Sequence, residues 1–566
     1  MIIERRAAQV APLDGVHPLL QRVYAHRGVA DEAELALDLQ HLVPPAQLPD
    51  IDRAAQRIAD AIVEQQRIVI VGDFDADGAT SVALCMLVLR ALGGTHVSFL
   101  VPNRFEFGYG LSPEIVDLAA QETPDLIITV DNGVSSITGV AQANKLGIDV
   151  IVTDHHLPGE ERPQALALVN PNLPECPFAS KAMAGVGVAY YVLSATRAVL
   201  AQRGYFETHQ QPNMAQYLDL VALGTVADVV PLDANNRRLV QQGLLRMRAG
   251  QTRPGIQALV EIGRRRLHAL SAQDLAFAVG PRLNAAGRLE DMSIGIKCLL
   301  SETLTEARQL ATALDRLNQA RRSLEADMVG DAEMMLAADA ADTERWGLSV
   351  YDPSFHQGVV GIVAGRLRER FFKPAIVFAD AGSQAPDELK GSARSIPDLH
   401  IRDALDRVAT RYPGLLLKFG GHAMAAGLSI KRVHLQRFGV IFDKVVRELL
   451  RPEQLRAQTM TDGSLAPEHM TLDAARMLIN GGPWGSAFPE PSFDDQFELV
   501  SQKVVGETHL KLVLRREGRL VDGIAFRQPP LPPDTKKVHV VYRLAENDFR
   551  DTITLQLMVE YLHPLP

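Results

Sequence analysis

The stretch Ile68-Val-Ile-Val-Gly-Asp-Phe-Asp-Ala-Asp-Gly78 constrains the fold most, because a short apolar run passes directly into a loop with three carboxylates. Ile68 to Val71 has the uninterrupted β-branched character of a strand covered on both faces. Gly78 and the run Ala79 to Leu92 read as a helix, so Asp73, Asp75 and Asp77 fall on a strand-to-helix turn. In an open parallel sheet such a turn lies at the carboxyl edge, where ligands bind. Three acids this close repel one another unless positive charge sits among them, and a divalent cation is the simplest source. Taken alone, the stretch reads equally as a solvated acidic turn capping a helix.

The same pattern recurs downstream. Val97 to Pro102 reads as a strand leading into a Gly-rich, aromatic loop at 103–110 that holds Arg104, either a structural turn or a phosphate contact. Leu126 to Val130 is a strand ending in Asp131-Asn-Gly133, and Val150 to Thr153 one ending in Asp154-His155-His156. Strands alternating with helices at this spacing imply βαβ crossovers and a doubly wound parallel sheet. The helix Tyr217 to Ala227 then ends in Asp228. A carboxylate there opposes the helix dipole, so a metal or a structural hydrogen bond is its expected purpose. Residues 280–288 read as a Gly/Pro-punctuated loop bearing Arg282, Asn284 and Arg288, donors suited to a phosphodiester or parts of a domain-closing turn.

From Thr303 to Ala338 the chain has the period and composition of a long connecting helix. A second, smaller α/β region follows, with the strand Leu348 to Tyr351, the helix Val359 to Phe371 and the strand Ala375 to Phe378. Ser392 and Arg394 alternate onto one side of a strand edge, and Gly420-Gly421-His422 permits close backbone approach to a ligand or simply a tight turn. Beyond about Leu455, alternating strands such as Thr552 to Tyr561 suggest a small antiparallel barrel. Trp484 and Phe488 read as packing residues of the preceding linker.

With 566 residues, the chain exceeds one core and suggests about three to four domains. Its 47% hydrophobic and 22% charged content is that of a globular protein, and its formal net charge of −10 advertises no general polyanion-binding surface. If nucleic acid is the substrate, basic groups are concentrated in a groove and cations neutralise the acids at its centre. Cys85, Cys176 and Cys298 lack metal-type pairing and fit a reducing cytoplasm. No apolar run reaches the ~18 residues of a membrane span, and the N-terminus lacks signal-peptide order, so a cytoplasmic protein without membrane attachment is expected.

Asp73, Asp75, Asp131, His155 and Asp228 together give four carboxylates and one imidazole from four segments. Mixed oxygen and nitrogen donors suit Mn²⁺ or Mg²⁺. Two such ions about 3.5–4 Å apart, sharing one carboxylate, suit phosphoester hydrolysis. His156 is expected to face phosphate or transfer a proton, Asp154 to orient imidazole, and Asp77 to support the turn.

The segments Gly72 to Gly78, Val130-Asp-Asn-Gly133, Thr153-Asp-His-His156 and Gly224-Thr-Val-Ala-Asp228 resemble, in order and spacing, the motifs of the DHH phosphoesterase superfamily. Residues 419–427 resemble its associated DHHA1 substrate-binding domain, and the terminal barrel resembles an OB-fold. With Arg104 and the 281–288 segment, the likeness extends over nearly the whole chain. Within the superfamily it narrows to the bacterial single-strand-specific 5′ to 3′ DNA exonucleases.

The resemblance implies five parts: an N-terminal cap at 1–45, a DHH catalytic domain at 46–300, a connecting helix at 301–343, DHHA1 at 344–452 and an OB-fold at 453–566. It implies one metal on Asp73 and Asp131 and a second on Asp75, Asp131, His155 and Asp228. His156, Asn284 and His422 would surround the scissile phosphate, with Arg282, Arg288 and Gly421 among the substrate contacts. Arg104, Ser392 and Arg394 would engage a 5′-terminal phosphate. Many superfamily members carry a histidine just ahead of the first carboxylates, where this chain has Val69 and Val71, so the first metal is expected to be held less fully. The resemblance also implies a monomer that releases 5′-mononucleotides in DNA repair and recombination, alongside a helicase and a single-strand-binding protein. Two competing readings are a DHH phosphodiesterase for short oligonucleotides or cyclic dinucleotides and a non-catalytic DNA-binding scaffold. The barrel argues against the first, and the full set of candidate ligands against the second.

Overall fold

The computed structural model describes residues 2–8, 12–102, 110–338, 344–382, 385–506, 508–549 and 552–566. The chain divides into two units, one comprising Glu4–Asp315 with Met460–Pro566 and the other built on Arg316–Thr459.

In the first unit, helix α1 (Ile51–Val63) buries Ile51, Ala54, Ala55, Ile58 and Ile62, the stripe that helical spacing dictates. It leads into β1 (Ile68–Gly72), buried at every residue. After β1 come α2 (Ala76–Ala91), β2 (Val97–Leu100), α3 (Pro113–Ala120), β3 (Leu126–Val130), α4 (Ile137–Lys145), β4 (Asp149–Thr153) and β5 (Ala167–Val169). The strands lie in the order β2-β1-β3-β4-β5, and every neighbouring pair is parallel. Strand order therefore reverses between β1 and β3, which makes their carboxyl ends the topological switch point.

Helices α5 (Gly185–Gln202) and α6 (Leu218–Ala227) are apolar nearly all round and pack against α2 and each other. Residues 280–288, expected to be a loop, instead belong to helix α7 (Gly280–Leu289). Pro281 is compatible with that helix because it lies in the first turn, where no backbone N–H is required. A helix of 35 residues, α8 (Leu304–Ala338), follows. Among the described residues, no helix is long and apolar enough to cross a membrane.

The second unit contains β6 (Leu348–Tyr351), α9 (Val360–Phe371), β7 (Ala375–Asp380), β8 (Glu388–Arg394), α10 (Ile401–Arg411), β9 (Lys418–Gly421), β10 (Ala425–Lys431) and α11 (Leu435–Leu449). The sheet order is β9-β10-β8-β7-β6, with β6 and β7 parallel and the other pairs antiparallel. Leu389 and Ala393 of β8 enter a core with Phe378, Leu405, Phe438 and Phe442. Strand alternation therefore sends Lys390, Ser392 and Arg394 to the opposite face.

The C-terminal strands β11 (Phe493–Val505), β12 (His509–Arg516), β13 (Arg519–Ala525), β14 (Lys537–Phe549) and β15 (Thr552–Leu565) close into a barrel in the order β11-β12-β13-β15-β14. The expectation of a wholly antiparallel barrel is corrected by β13 and β15, which run parallel. The reason is geometric: directions cannot alternate all the way around a closed ring with an odd number of strands. Trp484 and Phe488 stack with ring centroids 5.1 Å apart and are 6% and 2% exposed, so both pack.

Candidate metal centre

The acidic loop after β1 is clamped from several sides. Asp75 caps α2 by accepting the Gly78 N–H at 2.9 Å, and Asp73 accepts the Phe74 N–H at 2.8 Å. Asn284 of α7 accepts the Ala76 N–H at 2.8 Å, so it props this loop from outside. That approach requires Gly287, where a Cβ would stand 1.7 Å from the Phe74 carbonyl oxygen.

At the end of β3, Asp131 adopts φ 61°, a left-handed conformation that costs a non-glycine residue about 1–3 kcal/mol. Its neighbours over-determine it. The Asp131 N–H donates to Thr153 O at 3.0 Å, and the Asn132 amide donates to Val71 O at 3.1 Å and Val130 O at 2.9 Å, tying β1 to β3. Gly185 at the start of α5 meets Asp131 so closely that a Cβ there would lie 2.6 Å from the Asp131 Cβ.

After β4, Asp154 is fully buried, and its Oδ1 accepts the backbone N–H groups of His155 at 2.7 Å and His156 at 3.0 Å. The same oxygen lies 2.7 Å from His156 Nδ1, while Oδ2 accepts the Val134 N–H at 2.8 Å. Asp228 forms the C-cap of α6, its N–H donating to Gly224 O at 2.9 Å.

Three overlapping sets of donor atoms result: Asp73, Asp75 and Asp131; Asp131, His155 and His156; and Asp77, His155 and Asp228. Within each set the atoms lie no more than 4.8 Å apart. His155 Nε2 is 3.1 Å from Asp131 Oδ1 and 3.5 Å from Asp228 Oδ2. It is buried without a hydrogen-bond partner. Burial, then the charge of His156, lowers the His155 pKa to about 4, so its contact with the acids is that of a neutral imidazole and not an ion pair.

The carboxylates show the complementary strain. Asp131 is raised well above the ordinary carboxylate value by burial and then by Asp77 and Asp75, and Asp228 is raised for the same reasons. Burial opposes both ionised partners in the Asp154–His156 pair. The hydrogen bond from His156 nevertheless holds Asp154 low, and Asp154 in turn holds His156 high. A neutral imidazole with an orphaned nitrogen among crowded acids fits a hard divalent cation, which would relieve repulsion and satisfy the nitrogen together.

Asp77 takes a larger part than turn support. Its carboxylate caps α5 by accepting the N–H groups of Gly185 at 2.6 Å and Val186 at 2.9 Å. Burial, then Asp75, raises its pKa to about 7. It replaces Asp75 in the set with His155 and Asp228, whereas Asp75 groups with Asp73. The only sequence sign of this role is the Gly-Val-Gly opening of a helix 108 residues away.

Other expected substrate contacts are dispersed. Arg282 is turned to Asp315, with Nε to Oδ1 at 2.9 Å, and to the Ala278 carbonyl, so it ties α7 to α8. Arg288 is half-buried in the last turn of α7. Arg104 lies outside the described residues.

In the second unit, Arg394 Nη1 donates to Ser392 Oγ at 3.1 Å and Ala393 O at 2.9 Å. Gly427 is in register with Ser392 on one side and Gly420 on the other, and a Cβ at either glycine would meet open space. Gly421 has φ 142°, and His422 is exposed just beyond it. Gly361 of α9, which sequence reasoning passed over, leaves room for both donors, since a Cβ there would be 2.9 Å from Arg394 Nη2 and 3.0 Å from Ser392 Oγ.

The chain matches the DHH family N-terminal domain over residues 67–225, the DHHA1 domain over 346–448 and the RecJ OB domain over 461–561. It is 52% identical to the single-stranded-DNA-specific exonuclease RecJ of Dickeya dadantii, over 99% of this chain and 98% of that protein. The crystal structure of RecJ from Thermus thermophilus in complex with Mn²⁺ superimposes with a TM-score of 0.82 at 30% identity, covering 100% of this chain and 80% of that one. Its Mg²⁺ complex gives 0.77 at 28% identity, covering 100% and 79%. On its identity over almost the full length of both sequences, the chain belongs to the RecJ family of single-stranded-DNA-specific exonucleases.

Proposed function

We propose that this chain hydrolyses single-stranded DNA from the 5′ end, releasing 5′-mononucleotides, with two divalent ions, Mn²⁺ or Mg²⁺, in the centre at the switch point. The observation that carries the reading is the convergence of Asp73, Asp75, Asp131, His155 and Asp228 into donor sets linked to one another through Asp131 and His155. Asp131 would bridge the ions, Asp73 and Asp75 would serve one side, and His155 and Asp228 the other, joined by Asp77. When bound, the ions would supply the positive charge that activates water and stabilises the leaving oxygen in an in-line displacement.

The chain's own residues orient and protonate. Asp154, ionised and buried, positions His156, and the raised pKa of His156 leaves it a proton for the leaving oxygen or a charge for the phosphate. Asn284 holds the acidic loop against α7 through Oδ1 and would offer its side-chain N–H groups to the phosphate. Ser392, Arg394, Gly421 and His422 would receive the 5′ end on the open face of β8, β9 and β10. In this reading residues 46–300 are the catalytic domain, 301–343 the connector, 344–452 the 5′-end receptor and 453–566 the barrel that grips the strand, with 1–45 as a cap. The protein would act as a cytoplasmic monomer beside a helicase and a single-strand-binding protein.

The test is early sampling of a long single strand carrying a 5′-terminal label. Labelled mononucleotide appearing first, with Mn²⁺ and not with EDTA, is the expected result. Labelled oligonucleotides, or release from the other end, would refute the polarity.

A further inference from the structure

The two imidazoles of the centre stand on backbone that the sheet no longer holds. The last pair in the ladder between β4 and β5 is Thr153 with Val169, and the Asp154 N–H makes a final bond to Val169 O at 3.1 Å before the chain turns away. Beyond that point the sheet offers the carbonyl groups of His155 and His156 no partner, and backbone polar groups in a packed site need one.

The partners come from the neighbouring strand end. Because β5 runs parallel to β4, the residues that follow it, Asn170-Pro171-Asn172, emerge at the same edge of the sheet. Asn170 is fully buried; its Nδ2 donates to His156 O at 2.8 Å, and its Oδ1 accepts the Asn172 N–H at 2.7 Å. Pro171 stiffens the turn between them. Asn172, half-buried, donates from Nδ2 to His155 O. The peptide plane joining the two histidines is therefore held at both ends, its carbonyl by Asn172 and its N–H by Asp154 Oδ1 at 3.0 Å. A plane tethered on one side can swing about the chain, whereas one tethered on both fixes the direction in which each flanking side chain leaves the backbone.

We propose that Asn170 and Asn172 are positioning residues of the hydrolytic centre, Asn172 setting the imidazole of His155 toward the metal and Asn170 setting that of His156 toward the phosphate. The inference rests on the roles that the exonuclease reading gives the two histidines. Both asparagines act through main-chain carbonyls, so their removal separates two properties: metal affinity depends chiefly on Asn172, and turnover by the metal-loaded protein on Asn170.

The experiment measures Mn²⁺ affinity by calorimetry and single-turnover cleavage of a 5′-phosphorylated single strand at saturating Mn²⁺, with the melting temperature of each metal-free variant recorded beside them. Asn172→Ala is expected to weaken Mn²⁺ binding about 10- to 100-fold, the usual effect of losing an outer partner of a metal ligand. In a His155→Ala background the same change should cost no further affinity, since the ligand it sets is gone. Asn170→Ser keeps a hydroxyl that can accept the Asn172 N–H but lacks the reach to His156 O. It should slow cleavage by a similar factor with Mn²⁺ affinity near that of wild type, and add nothing to the loss in His156→Ala. Lys181→Met is the structural comparison: Lys181 Nζ holds the same turn through Pro171 O at 2.8 Å and Cys176 O at 2.5 Å, and these bonds go to neither histidine. It should lower the melting temperature and leave Mn²⁺ affinity unchanged. Asparagine effects that persist undiminished without the histidines, or that Lys181→Met reproduces, overturn the proposal. If Asn170→Ser does not fold, the Asn172→Ala cycle decides by itself. Mn²⁺ binding and mononucleotide release by the wild-type protein read the exonuclease assignment alone, so the two can fail separately.

Discussion

Asp154 Oδ1 lies 2.7 Å from Nδ1 of His156 while also accepting the backbone N–H groups of both His155 and His156. One buried carboxylate thus fixes the turn that presents two adjacent imidazoles to the same centre. Neighbouring side chains on an extended strand would point to opposite faces. Here the rings stand 4.5 Å apart, because the strand has ended at Thr153 and the turn is held from within.

Replacing that carboxylate should therefore act through His156. Asp154→Asn is expected to lower hydrolysis about 10- to 100-fold, the usual effect of removing an outer partner of a site imidazole. His156→Ala should cost at least as much, and the double variant should be no worse than His156→Ala alone, because the two act as a unit. Steady-state rates on a 5′-phosphorylated single strand measure this cycle. Losses that multiply would refute the coupling.

The centre's titration gives a second expectation. Asp77, Asp131 and Asp228 have raised pKa values without metal, so they contribute stability at low pH that is lost as pH rises through those values, about 7 for Asp77. His155, lowered from 6.5 to about 4, works oppositely, but only as pH falls below 6.5. His156, raised above 6.5, acts in the same direction as the acids. Between about pH 6.5 and 8 the metal-free protein should therefore melt at progressively lower temperature. Saturating Mn²⁺ should raise the melting temperature most at the upper end, since binding to the folded state alone stabilises it. Differential scanning calorimetry with EDTA and with Mn²⁺ checks both, and a metal-free profile rising over that range would contradict the acid cluster.

The strands and their terminal acids were legible because a buried parallel strand writes its character into consecutive residues, and its carboxyl end fixes where the next side chains go. Asp73, Asp131 and Asp154 all follow from that local rule. The partnership of Asp77 with Gly185 and Val186 does not, since it joins segments 108 residues apart through backbone N–H groups that any sequence possesses. Nor could the pattern around residue 280 separate loop from helix, because Pro is as much at home in the first turn of a helix as in a loop. The engagement of Arg282 with Asp315 followed from that helix and was equally hidden.

Gly185 links the fold to the centre. A methyl group there would press on Asp131 Cβ at 2.6 Å and Cα at 2.8 Å, atoms already held in a left-handed turn. Gly185→Ala should cost about 1–3 kcal/mol of stability and weaken Mn²⁺ binding with it. Gly187→Ala is the comparison, because its Cβ would meet mainly the flexible tip of Met183 at 2.8 Å and should cost less. Thermal melts and calorimetric Mn²⁺ titrations distinguish the two, and equal metal affinity in both variants would argue that Asp131 is not held by α5.

In the second unit, Arg394 is a cation without a carboxylate partner among the described residues, its guanidinium bound only to Ser392 Oγ and the Ala393 carbonyl. Burial, and then the nearby Arg368, lowers its pKa, so its environment favours an incoming anion. The first turn of α9 lies beside it at Gly361, and the positive end of the helix dipole adds to that preference. If the anion is a 5′-terminal phosphate, Arg394→Ala should reduce the ratio of cleavage of phosphorylated over hydroxyl-ended strands about 10- to 100-fold, the scale of a charged hydrogen bond. Arg394→Lys should recover only part of it, since an ammonium cannot reproduce the guanidinium fork. Gly361→Ala should shift the ratio in the same direction by crowding Nη2 and Ser392 Oγ. Paired initial rates on the two strand types provide the measurement, and a ratio unchanged in Arg394→Ala would remove this residue from 5′-end recognition.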